Sequence, residues 1–241
     1  MTPYSVFAGI YDDVMHDIDY DDWAEFLLSE LVSRGFAGGH VLDLACGTGN
    51  AAVPLLRRGF RVTGVDSSEA MLAVARSKHP GVSWLEGGFT DFSAGGPYAL
   101  VQSVFDAVNN LLDPDDFVLM AENVNAHLEP GGWFAFDANT SQGLRYLWEA
   151  GGISGWAGES FYAWDYAYDE ASGLARVEAG FVIGGQRYLE VHTERKYDPD
   201  ELRDLLQRAG FAEIDVIEYP DGEPAEADAP RVWVLARKPV V

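Results

Sequence analysis

Strand and helix signals alternate along the chain from residue 21 to about residue 138. The strand signals are VLDLA, RVTGVD, VSWLE, YALVQSV and WFAFDAN. Most of them are separated by helical patterns: DDWAEFLLSELVSRG before the first, then AAVPLLRRG, SSEAMLAVARSKHP and a helix opened by Asp113 and Pro114. Parallel neighbours in a sheet need crossover connections, which are usually helices. The alternation predicts an α/β fold with a doubly wound, mostly parallel sheet.

The pattern changes in the second half of the chain. The stretches ESFYAWDYAYD, LARVEAGFVI and QRYLEVHTERKY are separated by the turn signals EASG and GGQ, which predicts an antiparallel meander. A helix from Asp198 to Gly210 and two strands, near AEIDVIEY and RVWVLAR, follow it. We therefore expect an N-terminal segment (1–20), a sheet-forming domain (21–140 and 197–241) and an inserted antiparallel region (141–196).

The charge balance narrows the range of partners. The 241 residues include 16 Lys and Arg against 39 Asp and Glu, a formal net charge of -23. This field repels a phosphate backbone and attracts cations, so we expect neither nucleic acid nor an anionic membrane as a partner. No stretch approaches the roughly 20 apolar residues of a membrane span, and the start has no basic, signal-like pattern. A cytoplasmic protein is expected.

The stretch VLDLACGTGN, residues 41–50, places a carboxylate inside an apolar strand and a glycine turn after it. Ligands of parallel sheets bind at the carboxyl ends of strands, where glycines let the backbone come close. The string GTGNAA also matches a dinucleotide fingerprint, so a nicotinamide or flavin enzyme is an alternative. Asp43 argues against a pyrophosphate at this turn, because phosphate needs N–H donors there. A buried carboxylate needs either a ligand cation or a protein donor as its partner, and the sequence leaves both alternatives open for Asp43.

The motif D-L-A-C-G-T-G, followed by a strand that ends in an acid (VTGVDSSEAML), resembles the signature of Rossmann-like S-adenosylmethionine-dependent methyltransferases. The likeness extends to the N-terminal pattern Y-x-x-F-A-x-x-Y-D, to LEPGGWFAFDANT and to ELRDLLQRAGF. It implies a Rossmann-like sheet with an antiparallel final strand, and S-adenosyl-L-methionine as the cofactor.

The same resemblance assigns cofactor-binding residues by position. The methionine part is expected at Asp43, Ala45, Cys46, Gly47 and Gly49, the ribose at Asp66, the adenosine between Ser67 and Met71, and a further contact at Ser103. Two positions depart from the family. Ala45 stands where glycine is usual, and Gly88 stands where an acid commonly contacts adenine, so the backbone of Gly88 and Phe89 is expected to read the base.

The acceptor site is expected at the turn after YALVQSV. Methyltransferases of DNA bases and amides carry N/D-P-P-Y there, whereas this chain has Ser103 to Asp106, without that marker. The N-terminal segment resembles the lid of small-molecule methyltransferases, and the aromatic meander resembles the substrate-covering sheet of amino-sugar and glycine-type N-methyltransferases. These likenesses imply a small-molecule acceptor, with an amine favoured.

Methyl transfer is an in-line displacement for which alignment and desolvation can supply most of the acceleration. A general base is optional for a neutral amine and more useful for a hydroxyl. Tyr11, His16 and Asp106 are the candidates for orienting the acceptor or taking its proton. No metal is expected. The alternatives to a methyltransferase are a nicotinamide-dependent oxidoreductase and a non-catalytic cofactor-binding module.

Overall fold

The fold comes from a computed structural model that describes residues 4–149 and 151–240. Its strands, in chain order, are β1 (His40–Leu44), β2 (Arg61–Asp66), β3 (Ser83–Glu86), β4 (Tyr98–Ser103), β5 (Leu128–Asn139), β6 (Ile153–Ala157), β7 (Ser160–Asp169), β8 (Leu174–Ile183), β9 (Gln186–Arg195), β10 (Glu213–Ile217) and β11 (Arg231–Arg237). Its α-helices are α1 (Tyr11–Val14), α2 (Tyr20–Ser33), α3 (Ala52–Arg57), α4 (Glu69–Lys78), α5 (Pro114–His127), α6 (Ser141–Glu149) and α7 (Pro199–Arg208). Short 3₁₀ helices span Phe7–Gly9 and Ala107–Asn110.

The larger sheet has the strand order β10-β11-β5-β4-β1-β2-β3. The five strands from β5 to β3 are parallel, and β11 is antiparallel to both of its neighbours. The predicted α/β class, with a mostly parallel sheet and an antiparallel final strand, is confirmed. The central strand β1 is buried along most of its length, because helices cover both faces of a doubly wound sheet.

Side-chain caps set the starts of three main helices. Asp19 accepts from the backbone N–H of Asp22 at the start of α2, and Ser68 accepts from Met71 at the start of α4. Asp113 caps α5, where Pro114 occupies the first turn. Each cap satisfies a backbone donor that has no partner within the helix. The helices therefore begin close to where the sequence predicts them.

The smaller sheet is antiparallel, with the order β6-β7-β8-β9. Three of its strands match the predicted meander, while β6 and the preceding α6 were not predicted. The β6 stretch ISGWA is short and contains a glycine, so its strand conformation depends on pairing with β7 rather than on local preference. Local patterns alone could not indicate it.

Trp84 packs beneath the glycine turn and leaves no room for a side chain at two glycines. Its indole Nε1 donates to the carbonyl of His79 at 3.0 Å. A Cβ on Gly64 would overlap the indole ring, and a Cβ on Gly49 would lie 2.8 Å from its Cη2 atom. The turn after β1 therefore lies on a rigid aromatic surface with no room for a methyl group at either position.

We expect Gly64→Ala to lower the free energy of unfolding by about 1–3 kcal/mol, because the added methyl must displace Trp84 in a packed core. Urea-induced unfolding measures the change. Gly81→Ala is the matched control, because a Cβ there meets nothing within 4 Å. The control should differ from the parent by less than about 1 kcal/mol. Equal effects of the two substitutions would contradict this account of Trp84.

Candidate active site

Four acidic side chains gather at the carboxyl edge of the larger sheet. Asp43 lies in β1, Asp66 ends β2, Asp106 follows β4 and Asp137 lies in β5. Parallel strands end at the same edge, so the topology brings these distant positions together. Asp43 is 1% exposed and Asp137 is fully buried. Each carboxylate therefore needs hydrogen bonds or a positive charge nearby.

Asp43 has one satisfied oxygen. Gln102 in β4 donates from Nε2 to Asp43 Oδ1 at 3.0 Å, whereas Oδ2 has no hydrogen-bond partner among the described residues. Burial raises the pKa of Asp43 to about 7, against the lowering effect of the Gln102 bond, and the charge of Asp66 raises it further. One oxygen of Asp43 thus accepts a hydrogen bond from the protein, and the other is free to bind a ligand cation.

Asp66 joins the glycine turn to the start of α4. The backbone N–H of Gly47 donates to Oδ2 at 2.8 Å, and that of Ser68 donates to Oδ1 at 2.7 Å. Burial raises the pKa of Asp66, while these backbone bonds lower it. A carboxylate has about four lone-pair sites, so each oxygen can accept one further bond. Two carboxylate oxygens that can each accept one bond suit the two hydroxyl groups of a diol.

The turn itself needs residues that tolerate left-handed backbone. Ala45, Gly47 and Gly49 have φ values of 58°, 52° and 82°. Ala45 therefore adopts a conformation that favours glycine, which accounts for the glycine usual at this position in the resembled family. A Cβ on Gly47 would meet nothing within 4 Å, so Gly47 supplies a backbone angle and leaves open space for a ligand.

Cys46 is the free, buried cysteine of the turn. Burial raises the pKa of its thiol, and the charges of Asp43 and Asp66 raise it further. The side chain is therefore a neutral thiol at physiological pH, which makes it a packing group rather than a nucleophile.

The remaining predicted cofactor residues lie around the ends of β2, β3 and β4. Gly87 N–H donates to the carbonyl of Asp66 at 3.0 Å, which brings the β3 turn, with Gly88 and Phe89, beside Asp66. Ser67 is exposed next to Asp66, whereas Met71 and Ser103 are buried. Ser103 Oγ has no hydrogen-bond partner within the described chain.

Asp91 is a residue that sequence reasoning missed. Its Oδ1 accepts from Gly88 N–H at 3.1 Å and would lie 2.8 Å from a Cβ placed on Gly88. A carboxylate therefore occupies the space that an acidic side chain at position 88 would take. The only signal in the sequence is an acid three residues after the departing glycine, in GGFTDF.

The turn after β4 is strained and held by buried charges. Phe105 and Asp106 have φ values of 68° and 47°, and Asp137 accepts from their backbone N–H groups at 2.6 and 2.9 Å. Arg231 bridges the two acids, at 2.5 Å from Asp106 Oδ1 and 2.6 Å from Asp137 Oδ2. Asn139 donates to the other oxygen of Asp106 at 3.1 Å.

These contacts give Asp106 a structural role. Burial raises its pKa and Arg231 opposes that rise, and both carboxylate oxygens already have partners. Asp106 therefore fixes the turn, and the proton transfer predicted for it stays a prediction. Asp137 and Arg231 were not predicted.

The N-terminal segment is attached to the glycine turn through Asp12. Its Oδ1 accepts from Thr48 Oγ1 at 2.6 Å and from Asn50 Nδ2 at 3.0 Å, and its Oδ2 lies 2.6 Å from Lys78 Nζ. On the other side, Phe7 packs on the smaller sheet, with its ring 5.3 Å from that of Phe181. The segment thus lies between the turn and the smaller sheet.

Of the two other catalytic candidates, only Tyr11 lies inside this arrangement. It is packed edge-on against Phe7, and burial raises its pKa well above the usual value, so its hydroxyl is neutral. His16 lies at the surface, with 68% of its side chain exposed, and pairs with Asp13 and Asp17. His16 lines a cavity together with Tyr20 and with Asn50 of the glycine turn, and the role predicted for it stays a prediction.

Within residues 4–149 and 151–240, no helix is long and apolar enough to cross a membrane. In the same part of the chain, no three His, Cys, Asp or Glu side chains are grouped to hold a metal ion.

Comparisons with known proteins agree with this geometry. Residues 41–132 match a family described as a methyltransferase domain. A Geobacillus sp. (strain WCH70) protein named as a methyltransferase is 28% identical, over 98% of this chain and 99% of its own. The dTDP-3-amino-3,4,6-trideoxy-alpha-D-glucopyranose N,N-dimethyltransferase of Streptomyces venezuelae is 25% identical, over 86% of this chain and 88% of its own.

A solved structure shows the same fold over the whole length. The S-adenosylmethionine-dependent methyltransferase from Clostridium acetobutylicum superposes with a TM-score of 0.83 at 26% identity, covering 99% of this chain and 100% of its own. With the glycine turn, Asp43 and Asp66 arranged as described, these likenesses lead to one assignment. The chain carries a methyltransferase domain over residues 41–132 and resembles an S-adenosylmethionine-dependent methyltransferase in fold along its whole length.

Proposed function

We propose that this methyltransferase acts on an amine nitrogen of a small molecule. The observation that carries the methyl-transfer part of the proposal is the carboxylate of Asp43, buried at the glycine turn with one oxygen left for the ammonium group of the cofactor. The amino-sugar N,N-dimethyltransferase among its relatives supports the choice of acceptor. The net charge of -23 supports a cationic small molecule over a nucleic acid.

The residues of the site fit S-adenosylmethionine. Asp43 Oδ2 and the open space at Gly47 suit the amino-acid part, with its ammonium group on the carboxylate. The remaining lone pairs of Asp66 suit the ribose hydroxyls, and the turn of Gly88 and Phe89, with Asp91 beside it, suits the base. When bound, the cofactor supplies a methyl group on a positively charged sulfur.

The chain's own residues align the reactants and exclude water. Phe7 is 4% exposed and packs on Trp164 of the smaller sheet, while Asp12 of the same segment binds Thr48 and Asn50 of the glycine turn. The Tyr11 hydroxyl can orient an acceptor by hydrogen bonding, because it is buried and neutral. Positioning of this kind can contribute roughly 7–11 kcal/mol, so no nucleophile of the protein is needed.

A nicotinamide oxidoreductase is not favoured. A dinucleotide places its pyrophosphate at the helix start after the first strand, where backbone N–H donors stabilise the negative charge. Here the same place carries Asp43 with an unpaired oxygen and Asp66 bound to the Gly47 N–H. The carboxylate of Asp66 repels a pyrophosphate, and it already takes the Gly47 N–H donor that a phosphate would use.

We expect Asp66→Ala to weaken binding of S-adenosylhomocysteine at least tenfold while the protein stays folded. Two charge-assisted hydrogen bonds, each worth about 1.5–3 kcal/mol, exceed the roughly 1.4 kcal/mol of one decade. Titration calorimetry measures the affinity, and circular dichroism checks the fold. Asp215→Ala is the control, since Asp215 lies in β10 at the far edge of the sheet. An unchanged affinity in folded Asp66→Ala would show that Asp66 only supports the turn.

We also expect the segment 1–20 to act as a lid that S-adenosylhomocysteine stabilises. Limited proteolysis should cleave this segment more slowly with the ligand than without it. Asp12→Ala removes the contacts to Thr48, Asn50 and Lys78, so it should be cleaved faster and lose most of the protection. A truncation that starts at Asp21 should lose turnover by a larger factor than it loses cofactor affinity.

Asp13→Ala is the matched control for the lid, because Asp13 is exposed on the same short helix. It should behave like the parent protein. The lid is ruled out if the ligand gives the N-terminus no protection, or if the truncated protein keeps full activity on a proven acceptor.

A further inference from the structure

Asp43 and Gln102 lie side by side on neighbouring strands of the larger sheet. They are direct partners in the parallel register of β1 and β4, so their side chains share one face of the sheet. The residues that continue this row are Gly64 in β2 and Ala135 in β5, which carry no polar side chain. The amide of Gln102 is therefore the polar group that the row places beside the carboxylate of Asp43.

The pair is closed off from solvent. Asp43 is 1% exposed and Gln102 is 3% exposed. Gln102 also borders a small cavity that is lined mainly by apolar side chains of α2 and β11, among them Trp23, Leu27 and Trp233. Water cannot readily replace a hydrogen bond in such surroundings, so the bond from Gln102 matters more here than it would at the surface.

Gln102 binds one oxygen of Asp43 and leaves the other one open. Nε2 donates to Oδ1 at 3.0 Å, whereas Oδ2 has no hydrogen-bond partner within residues 4–149 and 151–240. When Asp43 is neutral, its proton belongs on Oδ2, because Oδ1 already serves as the acceptor. When Asp43 is ionised, Oδ2 becomes a free acceptor. The loss of one proton thus turns the same atom from a donor into an acceptor.

The titratable groups that face the pair from neighbouring elements are Asp66, Cys46 and Tyr20. Asp66 raises the pKa of Asp43 by its charge, and the buried thiol of Cys46 is neutral. Tyr20 of α2 borders the same small cavity as Gln102, and burial raises its pKa, so its hydroxyl is neutral too. Burial and Asp66 therefore favour the neutral form of Asp43, and the Gln102 donor favours the ionised form.

We propose that Gln102 is a positioning residue for the cofactor, whose N–H donor fixes Asp43 Oδ1 and so presents Oδ2 to the ammonium group. Gln102 does not touch the ligand in this assignment and acts through Asp43. The assignment rests on the proposed function, in which Asp43 receives the ammonium group. It adds the residue that determines which oxygen of Asp43 receives that group.

Binding then exchanges a proton for a cation at one atom. The O–H bond at Asp43 Oδ2 breaks, the proton passes to solvent, and the oxygen accepts an N–H bond of the ammonium group. A hydrogen bond to a carboxylate is stronger than one to a neutral carboxyl, so Gln102 favours this exchange. Burial raises the pKa of Asp43 to about 7 although Gln102 opposes the rise. Without the Gln102 donor, the ligand should bind only at higher pH.

Gln102→Leu tests this role, because leucine is similar in size and has no donor. Titration calorimetry measures the affinity for S-adenosylhomocysteine from about pH 6 to about pH 9. The affinity of the parent should rise with pH through about 7 and then level off, because ionised Asp43 is the form that binds. In Gln102→Leu we expect the same rise about one pH unit higher, which makes the affinity about fivefold lower at pH 7 and within about twofold of the parent at pH 9.

A ligand without the ammonium group gives the internal reference. 5′-Methylthioadenosine keeps the adenosine and the sulfur atom but lacks the amino-acid part. It should bind the parent and Gln102→Leu with equal affinity at every pH. Gln207→Leu makes the same change at an exposed position of α7, and it should behave like the parent with both ligands.

A double variant separates positioning from packing. In Asp43→Asn, the group that Gln102 positions has lost its charge. Adding Gln102→Leu to Asp43→Asn should therefore change the affinity for S-adenosylhomocysteine by less than about twofold. Gln102→Met is a second single variant that fills the same length without a donor, and it should reproduce the shift of the pH profile. Circular dichroism checks that each variant is folded.

Three results would show a merely structural role and overturn the assignment. They are a loss of affinity by the same factor at every pH, an equal loss for 5′-methylthioadenosine, and a further loss of about fivefold in the Asp43→Asn background. An unshifted pH profile in folded Gln102→Leu and Gln102→Met would overturn it as well. Failure of S-adenosylhomocysteine to bind the parent protein would instead contradict the proposed function, so the two failures are distinguishable.

Discussion

A buried carboxylate is stable only with a partner, and this molecule places four carboxylates at one edge of a sheet, two of them buried and two half-buried. Asp137 is satisfied by two backbone N–H groups and by Arg231, and Asp66 by the N–H groups of Gly47 and Ser68. Each acid thereby fixes the turn that follows a strand. The shape of the site depends on this pairing, because loss of one partner of a buried ion pair costs about 3–5 kcal/mol.

Arg231 shows how far the pairing extends. It lies on β11, the antiparallel strand next to β5, and its guanidinium group sits 5.1 Å from the ring centre of Trp23 in α2. It thus connects the last strand, the turn after β4 and the helix that covers them. The left-handed backbone at Phe105 and Asp106 persists because these surroundings hold it. The turn after β4 is rigid for that reason.

Two buried acids keep an oxygen without a hydrogen-bond partner in the part of the chain that the structure describes. Asp43 keeps one beside the glycine turn, and Glu194 keeps one on the smaller sheet. Both have raised pKa values from burial, so both can change protonation near neutral pH.

Much of the fold and of the candidate site was predictable from the sequence. The residues that were not predictable have physical reasons for it. The large sheet follows from alternating patterns, and the glycine turn with Asp43 and Asp66 follows from an acid in an apolar strand. The same argument applies to Gln102 in YALVQSV and to Asp137 in WFAFDAN, so both were within reach. Arg231 was not, because its partners Asp106 and Asp137 lie far away in the chain. His16 was assigned from residue type alone, and the fold turns it to the surface.

The central claim is that Asp43 is protonated in the free protein and ionises when a ligand cation binds. The number of protons released on binding measures this directly. Binding of S-adenosylhomocysteine, followed by calorimetry in buffers of different ionisation enthalpy, counts the protons released. At about pH 6, below the pKa of about 7, the ammonium group of the ligand should force Asp43 to ionise and release close to one proton. Asp43→Asn should release none. Binding without proton release in the parent protein, or equal release in Asp43→Asn, would contradict the account.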